Sequence, residues 1–230
     1  MSAHDVAPLP FAPQAVLFDM DGLILDSERV LLACWRQANA ELGAGLDDAL
    51  WLSMVGIHEA ACRDMVHARL PAERAEALIE RTNALYEARV ATGLPLKRGL
   101  VAMLDWLDAR AIPRAIATST VRGRAEAKLC AAGVRDRFDV LVTGSDVAHP
   151  KPAPDIYVLA AASLGVEPEA CVVLEDSLPG VRAALAAGAV PVQVPDLVAP
   201  DAGAAHRVVA DLERALALLQ AAFAPVPARP

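Results

Sequence analysis

Lysine is scarce in this chain: Lys97, Lys128 and Lys151 stand against 18 arginines. The basic residues form no cluster and the net charge is −8, which argues against nucleic acid or an anionic membrane surface as the main partner. No apolar run approaches the ~20 residues that a membrane-spanning helix needs. The start, residues 1–13, carries His4, Asp5 and three prolines instead of a basic stretch followed by an apolar one, so no secretory signal is read and a cytoplasmic protein is expected. Cys34, Cys62, Cys130 and Cys171 are scattered without a C-x-x-C pair. That excludes a zinc cluster or a disulfide framework and leaves reduced, mostly buried thiols. There is no internal repeat; the sequence leaves the oligomeric state open, with a monomer favoured.

What is present reads as a folded globule. A length of 230 residues with 55% hydrophobic and 22% charged residues suffices for one good core, or a core with a small satellite domain. Short apolar runs at 14–18, 113–118, 138–142, 170–174 and 189–194 alternate with helical patterns at 100–107, 122–132, 154–164 and 178–187, the last closed by Gly188. Alternation of this kind predicts an α/β fold: a doubly wound parallel sheet, a Rossmann-like core, with helices on both faces. The spacing breaks once. From Asp19 to Ile112 there are 94 residues, where a simple crossover needs about a dozen. Leu31, Trp35, Ala38 and Leu42 lie on one helical face, and Leu78, Thr82, Leu85 and Arg89 on another, with Ile79, Tyr86 and Val90 beside them. A helical domain is therefore expected over residues 28–94, inserted into a core made of 1–27 and 95–230. The tails, 1–13 and 225–230, are rich in proline.

Ligands of open α/β sheets bind beyond the carboxyl ends of the strands, so the residues there decide the chemistry. Asp19 and Asp21 of the stretch FDMDGLILDSE follow the first strand. Thr118, Ser119 and Thr120 follow the second, Lys151 precedes the helix at 154, and Glu175 and Asp176 follow the fourth. Four carboxylates in one crevice repel unless a cation neutralises them, and an all-oxygen site that keeps waters suits Mg²⁺. Such an ion, with hydroxyls, backbone N–H groups and one ammonium, makes a site for a phosphoryl group. An aspartate in line with that group can attack it and form an aspartyl-phosphate.

Each piece has a blander reading when taken alone. D-x-D-G is a common solvated turn, although an EF-hand fails because Leu23 and Val30 would fill ligand positions five and twelve. Thr-Ser-Thr and Glu-Asp-Ser are ordinary helix starts, Asp26 reads as a helix cap, and Asp146 as a support for Lys151. The scarcity of lysine and the flanking Pro150, Pro152 and Pro154 favour a specific need for the Lys151 ammonium.

In this order DMDG (19–22), TST (118–120), KPAPD (151–155) and LEDS (174–177) resemble the motifs of the haloacid dehalogenase-like hydrolase superfamily. The inserted helices resemble the cap of its phosphoglycolate phosphatase and β-phosphoglucomutase-like branch. The resemblance implies Asp19 as nucleophile and Asp21 as general acid and base. It also implies a Mg²⁺ shell of Asp19, the Asp21 backbone carbonyl, Glu175 and Asp176, and phosphate contacts from Gly22, Thr118, Ser119 and Lys151. Asp21 argues against the dehalogenating and phosphonate-cleaving members, which lack that aspartate. Leu31 and Val121 stand where the sugar-phosphate mutases carry a histidine and a lysine. The expectation is a phosphatase of a small phosphorylated metabolite, with a phosphosugar mutase as the enzymatic alternative and a phospho-receiver or noncatalytic binder outside that class. His58, with Glu59 and Arg63 near Gly56, is a candidate for substrate contact from the cap.

Overall fold

The structure, a computed structural model, describes residues 7–55, 59–200 and 207–224, with the side chains of residues 59 and 60 left aside. After strand β1 (Ala15–Phe18) come four helices: α1 (Ser27–Glu41), α2 (Asp48–Met54), α3 (Glu59–His67) and α4 (Ala72–Ala91). Then follow α5 (Leu100–Asp108), β2 (Arg114–Thr118), α6 (Arg122–Ala131), β3 (Val140–Thr143) and α7 (Asp155–Ser163). The chain continues through β4 (Cys171–Glu175), α8 (Leu178–Ala186), β5 (Val190–Gln193), β6 (Arg207–Val208) and α9 (Leu212–Ala222). The sheet is parallel throughout, in the order β3-β2-β1-β4-β5-β6. The five expected strands are all found, with ends shifted by one or two residues; β6, two residues long, was not expected.

Both faces of the sheet are covered, which is why its strands read as continuous apolar runs. Val16, Phe18, Ile116, Val172 and Leu174 point into one core with α5, α6 and α9. Their neighbours Ala15, Leu17, Ala115, Ala117, Cys171 and Val173 point into the other, against α7 and α8. Alanine dominates that second core, so its helices pack close to the sheet. β1 lies centrally, flanked by β2 and β4, and strand order reverses there, placing the residues after Phe18 at the switch point where such sheets bind ligands.

Helices α1 to α4 hold an apolar cluster of their own: Leu32, Trp35, Ala38, Leu50, Trp51, Val66, Ala75 and Leu78. Two residues expected on their inner faces are outside. Leu42 is 41% exposed because α1 stops at Glu41 and leaves it at the C-cap. Arg89 is exposed because the buried row of α4 runs Ala75, Leu78, Thr82, Tyr86, Val90, and its four-residue steps from Leu78 onward carry the stripe away from position 89. Asp26 occupies the N-cap position of α1 but makes no side-chain cap bond. Its carboxylate instead pairs with Arg29 at 3.1 Å and Lys97 at 3.5 Å. Of the cysteines, Cys34 and Cys171 are buried, whereas Cys130 is exposed. Among the described residues no helix is long and apolar enough to cross a membrane.

Candidate active site

Asp19 stands at the carboxyl end of β1, its backbone N–H still bonded to the Leu174 carbonyl at 3.0 Å. The side chain is 11% exposed, and its Oδ1 accepts a 2.6 Å bond from Lys151 Nζ. Oδ2 has no hydrogen-bond partner among the described residues. The Lys151 ammonium spends its other two donors on Glu175 Oε1 at 2.7 Å and the Ala117 carbonyl at 3.0 Å, and it lies 4.8 Å from the ring centroid of Tyr157. Three segments far apart in sequence are thereby joined at one cation.

Glu175 is fully buried and saturated. Its Oε1 also receives the Tyr157 hydroxyl at 3.0 Å, and its Oε2 accepts from Ser177 N at 2.8 Å and Ser177 Oγ at 2.9 Å. Burial works to raise this carboxyl, but Lys151 and Ser177 outweigh it and hold it below its usual range. At Asp176 the balance reverses: burial, Glu175 and Asp19 outweigh the pull of Lys151 and push it well above the carboxylate range. Burial raises Asp19 likewise, to about 7, against the opposing pull of Lys151.

Asp19, Glu175 and Asp176 each offer an oxygen within 4.8 Å of the others, the one set of this kind among the described residues. Asp176, half-buried and without a cation, supplies the demand; the all-oxygen donor set fits a hard metal ion. The Asp21 carboxylate does not belong to this set. It turns the other way, Oδ1 taking a 2.8 Å bond from Lys128 Nζ and Oδ2 a 2.7 Å bond from Thr120 Oγ1. Burial would raise Asp21, but Lys128 and Thr120 hold it below its ordinary value. Lys128 thus brings the local tally to four carboxylates and two ammoniums, an excess that one divalent ion would cancel.

The other expected residues fall as follows. Thr118 is buried, its Oγ1 accepting the Thr120 N–H at 3.1 Å, and Ser119 is exposed at the mouth. The Gly22 N–H is spent on Ser27 Oγ at 3.2 Å and the Leu25 carbonyl at 3.0 Å. What Gly22 contributes is space: at φ +80°, any side chain there would strike the Asp176 carboxylate. Asp146 does not support Lys151. It accepts from Thr143 N, Thr143 Oγ1 and Arg122 at 2.8, 2.7 and 2.6 Å, because its loop follows β3 and folds back on that strand's end. Gly56 and His58 lie outside the described residues. Sequence reading missed Thr120, Lys128, Tyr157 and Ser177 as partners of the acids. Thr120 and Ser177 stood inside the TST and LEDS motifs and Lys128 among three lysines, but none was paired with an acid; Tyr157 left no trace.

The parallel doubly wound sheet thus carries an aspartate at its switch point, a lysine on that aspartate and an acidic set able to hold a metal ion. Residues 13–188 match the haloacid dehalogenase-like hydrolases, and the chain belongs to that family. Fructose-1-phosphate phosphatase YqaB of Escherichia coli (strain K12) is 35% identical over 179 residues, covering 75% of this chain and 92% of that protein. A HAD family hydrolase from Deinococcus radiodurans R1, solved with bound phosphate and sodium, superposes with a TM-score of 0.77 at 33% identity over 93% of this chain and 96% of its own. A putative beta-phosphoglucomutase from Thermotoga maritima does so with a TM-score of 0.77 at 29% identity, over 91% and 99%.

Proposed function

We propose that this chain is a Mg²⁺-dependent phosphatase of a small phosphorylated metabolite, working through an aspartyl-phosphate on Asp19. The observation that carries the reading is the division of labour between the two aspartates. Asp19 has Oδ1 fixed by Lys151 and a carboxylate oxygen within 4.8 Å of one on Asp176, whereas the Asp21 carboxylate is held apart by Lys128 and Thr120. Asp19, Glu175, Asp176 and the Asp21 backbone carbonyl would hold Mg²⁺, with Glu175 also bracing Lys151. The ion would supply charge stabilisation for the phosphoryl oxygens. Asp19 attacks phosphorus; Asp21, which must first take up a proton against the pull of Lys128 and Thr120, passes it to the leaving oxygen and, ionised again, takes a proton from the water that cleaves the aspartyl-phosphate. Thr118, Ser119 and Lys151 orient the phosphoryl group through the first step.

We assign residues 28–94 to a cap over a core of 1–27 and 95–230, with His58 reaching the substrate. The separate apolar cluster of α1 to α4 supports the division. A mutase reading is disfavoured: Leu31 is half-buried against the apolar clusters and Val121 is 53% exposed, and neither side chain can bind or transfer a proton.

The test is phosphate release from a panel of sugar, nucleotide and short-acid phosphates. Multiple turnovers with Mg²⁺ are expected, abolished by chelator and restored on readdition. Full turnover in excess chelator would overturn the metal assignment, and one phosphate or none per chain would return the protein to the receivers or binders.

A further inference from the structure

All three lysines of this arginine-rich chain end on aspartates in sheltered surroundings: Lys97 on Asp196 at 2.6 Å, Lys151 on Asp19 at 2.6 Å, Lys128 on Asp21 at 2.8 Å. A compact ammonium suits such places better than a planar guanidinium. Lys151 has its place in the chemistry above, and Lys97 joins the linker after α4 to the loop after β5. Lys128 remains. It lies on α6, 7% exposed, facing the residue assigned to proton transfer.

Its setting is specific. The ammonium sits 5.2 Å from the ring centroid of Tyr86 on α4, and α4 packs on α6 with the Arg124–Glu87 ion pair nearby. The two Asp21 oxygens are taken by different residues, Lys128 and Thr120, so the plane of the carboxylate is fixed as well as its position. Burial alone would lower the Lys128 ammonium, but Asp21 and Tyr86 hold it above its usual range, and it stays charged.

We propose that Lys128 is a positioning residue for Asp21: with Thr120 it sets the carboxylate's orientation for proton transfer, and through Tyr86 it links that orientation to the seat of α4 on α6. The proposal rests on the reading of Asp21 as acid and base. In the step concerned, the Asp19–phosphorus bond forms, the bond from phosphorus to the leaving oxygen breaks, and the Asp21 proton passes to that oxygen. Misplacing such a group by about 1 Å costs ~10²-fold, within the 10²–10⁴-fold that proton transfer contributes.

The experiment compares kcat/KM for an unactivated sugar phosphate and for p-nitrophenyl phosphate, whose leaving group departs without a proton. Lys128→Met should lower the first about tenfold or more and leave the second within about threefold, since only the first needs a well-placed acid. Lys128→Arg, which keeps a cation on a bulkier head, should fall between. If Lys128→Met fails to fold, Lys128→Arg and Thr120→Val carry the same ratio. An equal loss on both substrates, or none on either, makes Lys128 a purely structural lysine and overturns the proposal. A wild-type protein that releases phosphate from neither substrate overturns the phosphatase reading beneath it.

Discussion

Lys151 Nζ lies 2.6 Å from Asp19 Oδ1, a contact between residues 132 positions apart. The lysine is 5% exposed on its side chain, so its charge acts with little screening, and burial is outweighed by Asp19 and Glu175 in keeping it protonated. Lys151→Ala should cost at least ~10² in kcat/KM, the scale of one preorganised charge contact. Steady-state rates with Mg²⁺ measure this; a change within about twofold would return Lys151 to a structural role.

Asp19→Asn and Asp21→Asn should fail differently. An amide at 19 neither attacks nor supports a metal ion, so turnover and phosphorylation both vanish. An amide at 21 leaves the attack on p-nitrophenyl phosphate possible but removes the base for the second step. Acid-quenched Asp21→Asn should then show one added phosphoryl group by intact mass, mapped to Asp19. Wild-type steady turnover in that variant would defeat the assignment.

Gly180→Ala should destabilise the core. The added Cβ would fall on the Glu175 carboxylate, which cannot step aside because Lys151, Tyr157 and Ser177 hold both its oxygens. Overpacking of this kind costs about 1–3 kcal/mol. Urea denaturation at constant slope reads the loss, and an unchanged midpoint would show that Glu175 is free to move.

Glu28, half-buried on α1, is raised from 4.5 to about 7 by burial and then by Asp21. A carboxyl raised by folding adds stability below its unfolded value and loses it as pH climbs through the folded one. The window here is 4.5 to about 7. Glu28→Gln should therefore melt close to wild type at pH 4.5 and above it at pH 8, both measured in chelator. A pH-independent difference would place Glu28 in water.

Much of this was legible in the sequence because it is local. Apolar runs bounded by turn residues marked five strands, since a strand buried on both faces needs no polar alternation. Asp19, Asp21, Glu175 and Asp176 could be placed at strand ends for the same reason, and the 94-residue gap exposed the inserted helices. Periodicity was less dependable at helix margins, where Leu42 and Arg89 turned outward.

The sequence by itself determined the order of strands and helices and which acids meet at the carboxyl edge, because backbone geometry repeats every two or 3.6 residues and leaves its period in the side chains. Only the tertiary structure decided which cation meets which acid. Lys128 reaches Asp21 across 107 positions, Asp146 turns to Thr143 and Arg122 instead of Lys151, and Asp26 gives up its cap for Lys97 and Arg29. Such pairings depend on strand order and on how helices seat against one another, and an ammonium a few ångströms from a carboxylate writes no period into the chain that carries it.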